Sequence, residues 1–198
     1  MRRGTADVGG TARSNRQNRR SIRLPGYDYS RNGAYFVTIC TQNRACLFGT
    51  IVDGEMRLNQ FGEIVADTWN WLRDQYNYVV LDQWVIMPNH LHGIIVINNV
   101  CRGGSQTAPT VGAPKPLGRL IGAFKTVSTK HINQLRNTPG VKIWQRNYWE
   151  HIIHNDDELN RIRQYIVDNP MKWETDRENQ EAVTLAATIR KNFEGAGV

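Results

Sequence analysis

Cysteine is scarce in this chain and poorly placed for covalent work. Only Cys40, Cys46 and Cys101 occur in 198 residues. Their odd number and the lack of any CxxC pair argue against a disulfide framework and against a zinc ribbon, and fit a reducing, cytoplasmic setting. Long apolar runs are missing as well. No stretch of about 18 apolar residues is present, so no membrane span is expected. The basic N-terminus leads into no apolar segment and does not read as a secretory signal. The most informative absence is of acid. Between Asp82 and Glu150 there is no Asp or Glu at all, a span of 67 residues.

That span does hold Arg102, Lys115, Arg119, Lys125, Lys130, Arg136, Lys142 and Arg146. Its net charge is therefore +8, while the whole chain carries +7. Another +6 sits in residues 1–24, where seven Arg oppose one Asp. The acids gather in 53–82 and after 150. A long region of one sign suits a phosphate-bearing partner, because cations set against phosphates release condensed counterions. A merely solvated basic face is the plainer alternative.

Residues 1–20 are rich in Arg, Gly, Asn and Ser, and are expected to be a disordered basic tail. Ala34–Cys40 is β-branched and aromatic, a strand. Asp53-Gly54 between Ile51-Val52 and Met56–Leu58 signals a hairpin. Phe61, Ile64, Val65, Thr68, Trp69 and Leu72 recur at helical spacing, predicting a helix over roughly 60–76. Val79–Met87 and Leu91–Asn98 read as strands joined by the turn residues Pro88-Asn89. A Gly/Pro/Ser/Thr loop at 99–116 precedes a second helix marked by Leu117, Leu120, Ile121, Phe124 and Val127. Lys142–Ile153 reads as a strand. A third helix starts at Asn155, which stands at capping-box spacing from Glu158, and Pro170 closes it near Asn169. The order β–α–β–β–α–β plus a helix predicts an α+β, ferredoxin-like antiparallel sheet with helices on one face, followed by a C-terminal helix. One such unit would occupy 21–173. Residues 174–198 would form a tail that begins acidic and carries a short helix around 182–189.

His90-Leu91-His92 falls at the start of one of these strands. A strand has a side-chain period of two, so both imidazoles project from one face and Leu91 points into a core. Two imidazoles side by side are half of a divalent-metal site. The third helix adds Tyr165 and Asn169, four residues and one helical turn apart. A phenol with an amide one turn along can present a nucleophile and a metal ligand together. Taken singly, Tyr165 reads rather as a half-buried helix tyrosine and Asn169 as a helix end before proline; together with His90 and His92 they suit one reaction. His131, His151 and His154 lack H-x-H spacing and read as structural or nucleic-acid-contacting.

Met87-Pro88-Asn89-His90-Leu91-His92-Gly93 followed by Tyr165-Ile166-Val167-Asp168-Asn169-Pro170 resembles the single-tyrosine HUH (His–hydrophobic–His) transposases of the insertion-sequence-200-like family, in particular their REP-associated tyrosine transposase branch. Ile22–Tyr29, Phe124-Lys125 and Tyr148–Ile153 look like that branch too, so the resemblance covers about residues 20–173. It implies His90 and His92 as metal ligands, Tyr165 as nucleophile, and Asn169 in place of a third ligand that is glutamine in better-known members. It also implies Mg²⁺ or Mn²⁺, and cleavage and rejoining of single-stranded, hairpin-bearing (REP-like) DNA through a 5′-phosphotyrosine. A homodimer is left open by the resemblance, because some relatives share sites between subunits. Arg119, Lys125, Lys130, Lys142 and Arg146 are candidates to follow the DNA backbone, and Trp144, Tyr148 or Trp149 to stack bases. The alternative is an HUH-type single-strand nuclease, or a nucleic-acid-binding protein without transposition activity.

Overall fold

The computed structural model describes residue 24, residues 26–98, residues 114–179 and residue 184. The expected basic tail, most of the 99–116 loop and all but residue 184 of the helix around 182–189 lie outside the described residues.

Among the described residues, six strands and three α-helices follow one another as β1 (Gly33–Cys40), β2 (Gly49–Val52), β3 (Glu55–Leu58), α1 (Gln60–Gln75), β4 (Val79–Met87), β5 (His90–Ile97), α2 (Leu117–Leu135), β6 (Trp149–Ile153) and α3 (Asp156–Asp168). The main sheet has the order β4-β5-β1-β6, antiparallel at every pairing. This is the split βαβ arrangement, with β5 and β1 central. β2 and β3 form a separate hairpin, and its turn residues Asp53 and Gly54 both take positive φ (53° and 75°), as a two-residue primed turn requires. Asn59 caps α1, its side-chain oxygen accepting from the backbone N–H of Phe61 and Gly62.

The two faces of the sheet bury different things. Tyr35, Val37 and Ile39 of β1 and Leu91, Ile95 and Ile97 of β5 point toward α1 and α2 and form the large core with Trp69 and Phe124. The alternate residues Phe36 and Ile94 point the other way and pack against Ile166 of α3, with Val85, Val96, Leu159 and Ile162 around them. So α3 lies on the face opposite α1 and α2, and the second face is partly roofed by the tyrosine helix rather than left open. A stripe of apolar residues tells that a helix packs, but not on which face.

Edge strand β4 helps to fix α3. Its pairing with β5 slips by one residue between Leu81 and Trp84, a bulge that leaves Asp82 and Gln83 out of the ladder. Asp82 then receives both Nε and Nη2 of Arg163 on α3, at 2.8 and 2.6 Å. This two-pronged geometry orients the helix as well as holding it. On the other face, Gly93 of β5 passes beneath Trp69. A Cβ there would come within 2.6 Å of the indole Cζ2, and Trp69 is fully buried. Gly93→Ala is therefore expected to destabilise the fold by about 1–3 kcal/mol, measurable as a lower denaturant midpoint.

β6 is shorter than the sequence predicts. Residues 142–148 make one isolated bridge, Thr41 to Trp144. Lys125 explains the break, since its ammonium collects the carbonyl oxygens of Gln145 and Asn147 at 2.9 Å each and of Arg146 at 3.4 Å. Carbonyls turned onto a partly buried cation are not available to a neighbouring strand.

Candidate active site

β5 carries His90 and His92 on the α3 side of the sheet, as the period of two predicts, and Leu91 lies in the opposite core. Both imidazoles are buried, and their Nε2 atoms are 3.0 Å apart. Two donors in neighbouring positions of an octahedral ion, each about 2.1 Å away, have about that separation. Burial holds His90 well below the usual histidine range and His92 down to about 3. Both rings are thus neutral near pH 7, the form that ligates metals.

Their other nitrogens are held differently. His90 Nδ1 is 2.8 Å from Asn89 Oδ1. The Asn89 amide cannot turn over, because its Nδ2 donates to the carbonyls of Arg44 (3.1 Å) and Glu178 (2.7 Å). Asn89 therefore presents an acceptor, Nδ1 of His90 must carry the proton, and Nε2 keeps its lone pair. His92 Nδ1 lies 2.8 Å from the hydroxyl of Thr38, directly across the ladder on β1. A hydroxyl can donate or accept, so His92 is free to change tautomer where His90 is not.

Helix α3 brings Tyr165 over this pair. Its hydroxyl is 3.4 Å from His92 Nε2, and its ring meets Phe36 and His92 at 6.0 and 5.3 Å between centroids. Tyr165 is 43% exposed, so the site is open to solvent on that side. Burial of the phenol, and then the nearby Asp176, raise its pKa, while the Asn169 amide pulls the other way. Asn169 is 2% exposed, and its Oδ1 is a buried acceptor with no hydrogen bond. Such an atom costs on the order of 1–3 kcal/mol when left unsatisfied.

Asp176 is the site residue that sequence reasoning missed. It follows the 3₁₀ segment Pro170–Thr175, and its Oδ2 stands 3.9 Å from His90 Nε2. Ligand atoms of His90, His92 and Asp176 all lie within 4.8 Å of one another, a group that could hold a metal ion. The only sequence signal was the acidic start of the segment after 174. The segment is fastened down beyond Asp176: Arg44 Nη1 donates to the Arg177 carbonyl (3.0 Å), and Arg44 Nε pairs with Glu178 at 3.2 Å. Two neutral imidazoles, a carboxylate and an unsatisfied amide oxygen are a donor set that fits a divalent ion.

Of the five candidate backbone-binding cations, none lies in this site. Lys125, Lys130, Lys142 and Arg146 line a separate cavity of about 920 Å³ beside α2, on the far side of the sheet. Lys125 is moreover engaged in the carbonyl contacts above, and burial lowers its pKa to about 8. Arg119 is an exposed residue in the first turn of α2. The site cavity, about 890 Å³, has instead Arg161, Lys172 and Arg177 on its walls. His151 is bound to Glu158 at 2.7 Å and is no ligand of the pair. Trp144 is buried, its indole N–H donating to Ser128, whereas Trp149 is exposed at the cavity wall.

No family model matches the chain. A protein of Haemophilus influenzae with no described function is 39% identical over 167 residues, 80% of this chain and 92% of that protein. A second protein of the same organism, described as a candidate REP-associated tyrosine transposase, is 26% identical over 73% of this chain and 74% of its own length. A solved REP-associated tyrosine transposase, bound to a REP hairpin, has the same fold, with a TM-score of 0.53 and 19% identity over 77% of this chain and 74% of that one. The chain is thus similar in sequence to one protein described as a REP-associated tyrosine transposase and shares the fold of a solved one. It is an α+β protein built on a four-stranded antiparallel sheet, the fold it shares with that solved transposase. Among the described residues, no helix is long and apolar enough to cross a membrane.

Proposed function

We propose that the chain cleaves and rejoins single-stranded, hairpin-bearing DNA, with Tyr165 as nucleophile and a divalent metal held by His90, His92 and Asp176. The observation that carries this reading is the approach of the Tyr165 hydroxyl to within 3.4 Å of His92 Nε2, which stands 3.0 Å from the lone-pair nitrogen of His90. The hairpin bound by the solved transposase supports the choice of substrate. Mg²⁺ or Mn²⁺ would supply positive charge to the scissile phosphate and to the departing oxygen, and imidazole donors suit Mn²⁺ better.

The residues supply the rest. The phenol of Tyr165, raised in pKa, is a weak nucleophile until its proton passes to water in the open cavity. Its oxygen then bonds to phosphorus, the bond from phosphorus to the 3′ oxygen breaks, and that oxygen leaves and takes a proton as a free 3′-OH. The product is a 5′-phosphotyrosine, whose bond energy is kept for attack by a 3′-OH in the reverse sense, so rejoining requires no nucleotide cofactor. Phe36 and Ile166 brace the helix that carries the tyrosine, and the Arg163–Asp82 pair fixes its edge. Asn169 takes no ligand role in this reading; its amide lowers the pKa of the tyrosine hydroxyl.

The test is incubation of the full chain with labelled hairpin-bearing single-stranded DNA and Mn²⁺, followed by a denaturing gel. A covalent adduct that needs both Tyr165 and metal is expected, and a second oligonucleotide with a free 3′-OH should become joined to the label. Cleavage without joining would leave a nuclease. Asn89 gives a further check. Asn89→Ala removes the acceptor that fixes the His90 tautomer, and Mn²⁺ affinity is expected to fall on the order of 10–100-fold, read by calorimetry.

A further inference from the structure

We infer that Trp149 is a stacking platform for an unpaired nucleobase next to the phosphate that Tyr165 attacks. This rests on the proposed action on single-stranded DNA and assigns it a subsite. Trp149 begins the edge strand β6 and is 49% exposed, although an indole of that size is usually covered. It is not loose. Its ring sits edge-on against Phe36 at 5.6 Å and parallel to the His151 ring at 6.0 Å, with 7° between their planes. His151 is itself held by Glu158. A large flat apolar face is thereby fixed in orientation and left accessible.

Its place relative to the chemistry is set by Phe36. That one phenyl ring contacts Trp149, His92 and Tyr165, so indole and phenol are separated by a single ring, a gap that one or two nucleotides can bridge. Trp149 and Tyr165 line the same cavity, together with Arg161 and Arg177. Neither arginine is in an ion pair among the described residues, and both are exposed. An accessible aromatic face with unpaired cations on the same walls is the combination that holds a single strand: cations track the phosphates, and the ring takes a base. A duplex would keep its bases stacked on each other and leave the indole unused. The buried Trp144 and the partly buried Tyr148, which carries Lys125 over its ring, offer no such face in this cavity.

The test uses the full chain, no divalent ion, and fluorescence anisotropy with a fluorescein-labelled oligonucleotide that carries a hairpin and an unpaired flank. Abasic sites are placed one at a time along the flank. Trp149→Ala is expected to weaken binding to the intact strand about tenfold, and Trp149→Phe much less. One abasic position should weaken the wild-type protein by a similar factor, and should cost Trp149→Ala almost nothing further. Wild-type affinity in Trp149→Ala, or losses that multiply at every abasic position, would overturn the platform. If Trp149→Ala does not fold, Trp149→Leu keeps the apolar bulk without the aromatic face and carries the same comparison. Adduct formation is scored separately. An adduct with no dependence of binding on Trp149 removes the platform and leaves the cleavage reading. Trp149-dependent binding with no adduct on any DNA removes the cleavage reading and leaves the platform.

Discussion

Tyr165→Phe will bind hairpin-bearing DNA as the wild type does and will form no covalent adduct. The substitution deletes one oxygen from a side chain that is 43% exposed. That oxygen makes a long contact, 3.4 Å to His92, and the ring keeps its edge-on packing against Phe36. Stability should therefore change by no more than about 0.5 kcal/mol. Activity is another matter, because the nucleophile is the one group whose removal leaves no route to the intermediate. Adduct yield should drop by a factor on the order of 10⁴ or more. Quantitative gel densitometry after Mn²⁺ addition, beside a thermal melt of the same protein, separates the two effects. An adduct that persists in Tyr165→Phe ends the assignment of the nucleophile.

Metal affinity should fall most in His90→Ala and next in Asp176→Asn. His90 has its lone pair fixed by Asn89 and gives up no hydrogen bond to water on binding, being fully buried. Its loss should cost on the order of a hundredfold or more in Mn²⁺ affinity. Asp176 supplies the only carboxylate oxygen in the cluster among the described residues, and burial raises its pKa. Burial thus works against its charged form, and a bound cation would restore it. Asp176→Asn keeps the shape, removes the charge, and should cost on the order of 10–100-fold. Asn169→Ala should cost far less. The reverse order, with Asn169→Ala the more damaging, would return the third-ligand role to Asn169 as the family resemblance implies. Calorimetric titration of the full chain with Mn²⁺ reads all three, and adduct yields should follow the same ranking.

The parts of this molecule that local pattern can specify were legible in its sequence. Alternation on β5 places His90 and His92 on one face and Leu91 on the other, because strand geometry has only two sides. Asn155 and Glu158 mark the start of α3, and its oxygen does accept from the Glu158 N–H. What escaped was set by distant contacts. Asp176 reaches the histidines only because its segment is tied to Arg44, more than 130 residues earlier in the chain. The acid-free stretch also misled. Counting charge along a window does not say which side of a sheet each cation will face, so Lys130 and Lys142 went to the α2 side while Arg161 and Arg177, from the acid-rich part of the chain, reached the site. Lys125 was misread for a related reason: a lysine among polar helix positions looks solvated, yet its ammonium is the hub that unmakes the first half of the expected last strand.

The Asn89 amide is held by the carbonyl of Glu178, and this bears on the order in which the molecule can become active. Ribosomes make the imidazole pair first, the tyrosine some seventy residues later, and the anchoring segment after that. Until residue 178 has docked, one of the two bonds that lock Asn89 is missing, and so is the carboxylate at 176. A chain interrupted at 170 would carry the tyrosine with neither. Under the proposed function, a centre wired in this way is armed only when synthesis of this stretch is complete.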